Sequence, residues 1–177
     1  VARLAKDLGA LTVAVVTNID REHLDHYGDM FRLQQSFLNF INKVPFYGLA
    51  VLCLDEPGIQ EIIPKVEKRY LTYGRVTQAD LLARDIDLKR GRASFQAVFR
   101  GKSLGKFELS LPGTHNVLNA LAAIGVALEL EVPMDAVKAA LREFSGVERR
   151  FQVVMETKGS DMMIVDDYAH HPTEIKK

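Results

Sequence analysis

Four short stretches of this 177-residue chain hold most of the side chains able to do chemistry. The first, Thr17-Asn-Ile-Asp-Arg-Glu-His-Leu-Asp-His26, gathers Asp20, Glu22, His23, Asp25 and His26. Carboxylates and imidazoles this close can bind a cation or move protons, although Cys and His at zinc-like spacing are missing. Taken alone, the stretch reads equally well as a solvated polar loop. The second, Gly113-Thr-His-Asn-Val-Leu-Asn119, spaces His115, Asn116 and Asn119 so that a helix would carry them along one edge of its first turns. Amides offer both donors and acceptors, the combination needed to read the edge of a nucleobase. Asn116 by itself fits helix capping and an internal hydrogen-bond network better.

The third stretch, Gly146-Val-Glu-Arg-Arg-Phe151, contains Arg149 and Arg150. A guanidinium fork matches phosphate oxygens, whereas a solvated surface pair is the commoner fate of two adjacent arginines. The fourth, Asp166-Asp-Tyr-Ala-His-His-Pro-Thr-Glu174, brings two acids, Tyr168, His170 and His171 together after an apolar run.

The elements that must position these clusters follow from hydrophobic patterning. Residues 11 to 17 form a continuous β-branched run, as expected of a strand buried on both faces of a parallel sheet. Apolar residues recur at helical spacing from Met30 to Val44 until Pro45, and Leu49 to Leu54 reads as a second buried strand. This order predicts a βαβ unit in an α/β fold. A short helix ending near Pro64 and a strand from Arg69 to Tyr73 continue the alternation. Ala79 to Leu88, Ser94 to Arg100 and Lys106 to Leu111 then favour an antiparallel flank turning at Arg100-Gly-Lys-Ser. A long, buried helix runs from His115 to about Leu130 with Thr114 as its N-cap, and another from Met134 to Phe144. Two strands, Phe151 to Met155 and Met162 to Val165, follow an expected domain boundary near Val147. The first, third and fourth polar clusters sit where α/β folds bind ligands, or at the hinge between two domains.

Composition narrows the function classes. Lys plus Arg and Asp plus Glu number 23 each, so no net charge draws the chain to nucleic acid or an anionic membrane. The single cysteine, Cys53, lies in an apolar run and excludes a disulfide framework, which fits a cytoplasmic location. No apolar stretch reaches the roughly 20 residues of a membrane span, and the N-terminus lacks a signal-peptide pattern. Both ends read as cut.

Taken in order, VTNIDREHLDHYG, VPFYGLAVLCLDEP, LPGTHNVLNALAAIGVALEL, FSGVERRFQ and DDYAHHPTEI resemble the Mur ligases, from about Val13 to Lys177. The tail DDYAHHPTEI discriminates best among them and is similar to that of the alanine-adding member. The resemblance implies a mostly parallel ATP-binding domain over residues 1–147, without its phosphate loop, and the start of a C-terminal α/β domain over 148–177. It implies a ligase of peptidoglycan precursor synthesis whose substrates are UDP-N-acetylmuramate and L-alanine. ATP and Mg²⁺ would serve it, through an acyl phosphate that the amine attacks.

By motif, His23 would bind magnesium, while His115, Asn116 and Asn119 would border the adenine. Arg150 would contact phosphates, with Arg149 the weaker match, and Asp167 would approach the ribose. Tyr168, His170 and His171 would lie near the amino-acid and muramoyl end. Several sister ligases carry a carbamoylated lysine; here the helix offers only Lys43, outside that motif, as expected of the alanine-adding type.

Two departures qualify this. No Gly-x-x-Gly-Lys-Thr/Ser loop occurs, since the only Gly-Lys-Ser, Gly101-Lys-Ser103, falls in a hairpin turn. Residues 1 to 17 are also similar to a segment of the tubulin-like bacterial division GTPase. A GTP-binding polymer protein and a non-catalytic nucleotide-binding scaffold are therefore the alternatives. The chain alone is expected not to turn over ATP.

Overall fold

The computed structural model describes residues 12–20, 28–89, 91–148, 152–156 and 163–169. Strand β1 (Val13–Val16), helix α1 (Met30–Ile41) and strand β2 (Leu49–Cys53) form the first βαβ unit. Asp29 caps α1 by accepting the Arg32 N–H at 2.8 Å. The helix buries Leu33, Leu38 and Ile41, with Met30, Phe37 and Phe40 of the apolar stripe partly buried beside them. It stops at Asn42, whose Oδ1 accepts the Glu67 N–H at 3.0 Å.

All five residues of β2 are buried, which accounts for its unbroken apolar run. A short helix α2 (Pro57–Gln60) and a 3₁₀ turn at Ile63–Lys65 lead to β3 (Tyr70–Gly74). Strands β4 (Leu81–Lys89), β5 (Arg92–Phe99) and β6 (Lys102–Leu109) complete a six-stranded sheet ordered β1-β2-β3-β4-β5-β6. The first three pairings are parallel and the last two antiparallel. The parallel sheet with an antiparallel flank is thus present as expected.

The hairpin between β5 and β6 turns at Arg100 and Gly101, both at positive φ (46° and 81°), as a tight two-residue turn requires. The Gly-Lys-Ser at 101–103 therefore begins a strand and has no helix behind it. Phe95 and Phe107 stack across these strands at 5.7 Å between ring centroids.

Helix α3 (Thr114–Glu129) lies across β2, β3, β4 and β5. It buries seven positions, among them Val117, Leu121, Ile124 and Gly125. Gly125 lets the helix approach closely, since a Cβ there would sit 3.1 Å from Val51 and 3.3 Å from Leu71. The expected cap is corrected: Gly113 occupies the N-cap position at φ 95°, ψ 144°, and Thr114 is already helical. That conformation is nearly exclusive to glycine, so the sterics of the entering loop override the capping preference of threonine.

Helix α4 (Met134–Glu143) covers β6, with the Lys138 ammonium 5.5 Å from the centroid of Phe107. Strands β7 (Gln152–Glu156) and β8 (Met163–Asp166) pair antiparallel in a separate two-stranded sheet.

Candidate functional site

The loops leaving the carboxyl ends of β1, β2 and β3 lie side by side, because the strands run parallel in adjacent register. Thr17 to Asp20 follow β1, Leu54 to Glu56 follow β2, and Arg75 and Val76 follow β3. Ile19 is buried beneath its loop, and Asp20 is half-buried.

Asp55 knits two of these loops together. Its carboxylate accepts from the Arg75 N–H at 2.7 Å, the Val76 N–H at 3.3 Å and Arg75 Nε at 2.6 Å. A Cβ on Gly74 would collide with that carboxylate, so a larger residue there would push Asp55 off its partners.

Helix α3 points its N-terminus at the same end of the sheet. Glu129 in its last turn forms an ion pair with Arg69, which immediately precedes β3. The C-terminus of the helix is therefore held at the amino end of β3, and Thr114 lies toward the carboxyl ends.

At that N-terminus His115 and Asn119 are exposed, one helical turn apart. Asn116 is half-buried, and its Nδ2 donates to the Pro112 carbonyl at 2.7 Å. The sequence trio is thus divided: Asn116 closes its own helix terminus, while the His115 imidazole and the Asn119 amide face solvent. Gly113 also makes room for the imidazole, since a Cβ there would lie 2.6 Å from His115 Cε1.

Cys53 and Tyr73 are register partners at the floor of this end and are both fully buried. Burial, then the nearby Asp55 and Glu56 charges, pushes the Cys53 thiol up to about 11, against hydrogen bonds from the Asp55 backbone and the Tyr73 side chain. It stays protonated near neutrality and is no nucleophile. Burial, and then the adjoining Cys53 thiol, also raises Tyr73, whose hydroxyl meets only that weak sulfur partner.

Asp80 joins the parallel and antiparallel halves of the sheet. It accepts the Thr72 N–H at 3.0 Å, the Thr72 hydroxyl at 3.1 Å and Arg100 Nε at 3.1 Å. Burial by itself would raise this carboxyl, but those three donors together hold it below its ordinary value.

In the two-stranded sheet, Asp167 and Tyr168 follow β8 and are exposed, with Asp167 Oδ1 accepting the Ala169 N–H at 2.8 Å. His23, Arg149, Arg150, His170 and His171 lie outside the described residues. Among the described residues no group of three His, Cys, Asp or Glu is arranged to hold a metal. No helix among them is long and apolar enough to cross a membrane. Asp55 and Gly113 escaped the sequence reading as site-building residues. The available signals were an acid at the end of a fully apolar strand and a glycine just before a polar helix start.

The family model described as "Mur ligase middle domain" matches residues 3–127. The chain belongs to the Mur ligase family. This match includes residues 3 to 17, most of the N-terminal segment. The UDP-N-acetylmuramate–L-alanine ligase of Syntrophotalea carbinolica is 51% identical over 164 residues, 93% of this chain and 35% of its own length. That of Geotalea uraniireducens is 55% identical over 165 residues, 93% of this chain and 36% of its own. The chain thus spans about a third of the length of these curated Mur ligases.

Among solved structures, the UDP-N-acetylmuramate-alanine ligase of Thermotoga maritima superposes with a TM-score of 0.78 at 28% identity. The match covers 94% of this chain and 37% of that one. The MurF ligase of the same organism, in complex with ADP, gives a TM-score of 0.80 at 25% identity and covers 99% of this chain and 39% of its own. Both carry the same mostly parallel Mur ligase fold with its antiparallel strands.

Proposed function

We propose that this chain is the nucleotide-binding segment of a cytoplasmic, ATP-dependent ligase. The enzyme joins L-alanine to the carboxylate of UDP-N-acetylmuramate in peptidoglycan precursor synthesis. The observation that carries the reading is the convergence, at one end of the parallel sheet, of three strand-end loops and the exposed His115–Asn119 edge. It occurs in a chain 51% identical to an alanine-adding ligase along 93% of its length. The groups gathered there suit a nucleotide: an imidazole and an amide one turn apart carry donors and acceptors that match a purine edge, and Asp20 carries the oxygen type that Mg²⁺ prefers.

In this reading His115 and Asn119 border the adenine, and Asn116 supports them by fixing the helix start. His23 contributes to the magnesium site, Arg150, with Arg149 the lesser candidate, to the phosphates, and Asp167 to the ribose. Tyr168, His170 and His171 serve the end where amine and carboxylate meet. Bound Mg²⁺-ATP supplies the phosphoryl group that activates the carboxylate. The chain's own residues orient the nucleotide and keep its reacting end at the sheet edge. A boundary near Val147 separates this ATP-binding part from the start of the next domain.

Two assays test the reading. An intact ligase containing this chain should form UDP-N-acetylmuramoyl-L-alanine only when ATP and Mg²⁺ are both present, and should lose most activity with His115→Ala plus Asn119→Ala. Absence of product with the intact ligase overturns the proposal. The 177-residue chain alone should release no phosphate from ATP in the presence of both substrates.

A further inference from the structure

The turn after β2 is braced on both sides. Toward β3, the Asp55 side chain is only 5% exposed and accepts the three donors of Arg75 and Val76. Toward β1, Gly58 in α2 abuts the loop that follows that strand. A Cβ on Gly58 would lie 2.7 Å from the Ile19 carbonyl oxygen and 3.1 Å from Ile19 Cβ.

Gly58, the second residue of the four-residue α2, does not adopt a positive φ, so glycine there needs a cause other than backbone conformation. Close approach to the backbone of Ile19 supplies one. Asp55 and Gly58 are three residues apart, and the Gln60 amide ties the far end of α2 back to the Leu54 carbonyl at 2.6 Å. The span from Leu54 to Gln60 is therefore one rigid wedge between the ends of β3 and β1.

We propose that Asp55 and Gly58 are positioning residues: they fix Ile19, and with it Asn18 and Asp20, at the end of the sheet where the phosphates are handled. This rests on the ligase reading given above. Neither residue needs to touch a substrate; both act through the loop after β1. A displaced Asp20 would be felt first in the use of Mg²⁺-ATP and not in the capture of L-alanine.

The experiment uses the intact ligase containing this chain with three separate substitutions, Gly58→Ala, Asp55→Asn and, as control, Asp80→Asn. Asp80 ties β3 to β4 and the β5–β6 turn, with β2 and β3 standing between it and β1 in the sheet. Amide hydrogen exchange is measured without nucleotide, and kcat and KM are measured for ATP and L-alanine. Gly58→Ala and Asp55→Asn should speed exchange at Asn18 to Asp20 about ten-fold and raise the KM for ATP. The KM for L-alanine should stay unchanged, and Asp80→Asn should do neither.

Unchanged exchange at Asn18 to Asp20 in both variants overturns the proposal, as does an ATP effect equalled by Asp80→Asn. A parent ligase that makes no alanine adduct overturns the ligase reading instead, and the exchange data still decide whether the wedge holds the loop.

Discussion

Gly113→Ala tests the link between the polypeptide's local geometry and its candidate nucleotide edge. Gly113 adopts φ 95°, ψ 144° at the entry to α3. A residue with a Cβ held in such a region costs roughly 1–3 kcal/mol. The new Cβ would also lie 2.6 Å from His115 Cε1 and 2.9 Å from Nδ1, so the imidazole must swing away. For a protein of this size about 1 kcal/mol shifts the melting temperature by about 2–4 °C, so Gly113→Ala should melt roughly 3–10 °C lower. Thermal unfolding followed by circular dichroism reads this directly. Adding His115→Ala in the same chain separates the two causes. The double variant should recover the part due to the ring contact and keep the part due to the backbone. Gly113→Ala melting within about 1 °C of the parent would refute the reasoning, because both penalties would then be absent.

Asp80→Asn removes the charge that Arg100 and Thr72 engage, and should cost about 1–3 kcal/mol in urea unfolding at neutral pH. Because the folded carboxyl is held low, that difference is complete above the unfolded value near 3.9. It should vanish as pH falls through the folded value; a difference independent of pH would contradict the assignment. Tyr73→Phe deletes a buried hydroxyl whose partner is at best the weak Cys53 thiol, so the variant should be up to about 1 kcal/mol more stable. Destabilisation of that size would mean that the hydroxyl is hydrogen-bonded after all. Cys53, buried and raised to about 11, should react with a disulfide reagent at pH 8 only as fast as the protein opens. Rapid modification of the native protein would exclude a closed floor beneath the site.

The elements were legible wherever burial follows a simple period. The unbroken run of β2 and the stripe of α1 gave their places because both obey side-chain geometry alone. The Arg100-Gly101 turn was legible for a similar reason, since few residues accept two successive positive φ values. The cap of α3 was not, because threonine and glycine both suit that position and only the path of the incoming loop decides between them. Asp55 was invisible as an organiser because its partners lie 20 and 21 residues away and meet it only through the parallel register of β2 and β3. Asn116 shares the spacing of His115 and Asn119, but its fit to helix capping was legible, and its hydrogen bond to the Pro112 carbonyl bears that out.

The two ends of the parallel sheet divide polar groups in a way that bears on function. At the amino end, Arg69 directs Nε to the Gly48 carbonyl at 3.3 Å and pairs with Glu129, so charge there is spent within the fold. An arginine with a carbonyl and a carboxylate already in place has little freedom to recruit a ligand. At the carboxyl end Asp55 is likewise consumed by backbone amides and Arg75, and that use braces the loops instead of neutralising their outer surface. His115 and Asn119 remain at that surface, exposed on the first turns of a helix whose remainder is largely buried. Anchoring α3 through Glu129 fixes the helix from which His115 and Asn119 project, so a ligand meeting them has only two side chains to order and no backbone. Two short side chains carry a small ordering cost, which suits recognition of a rigid, planar partner such as a purine ring.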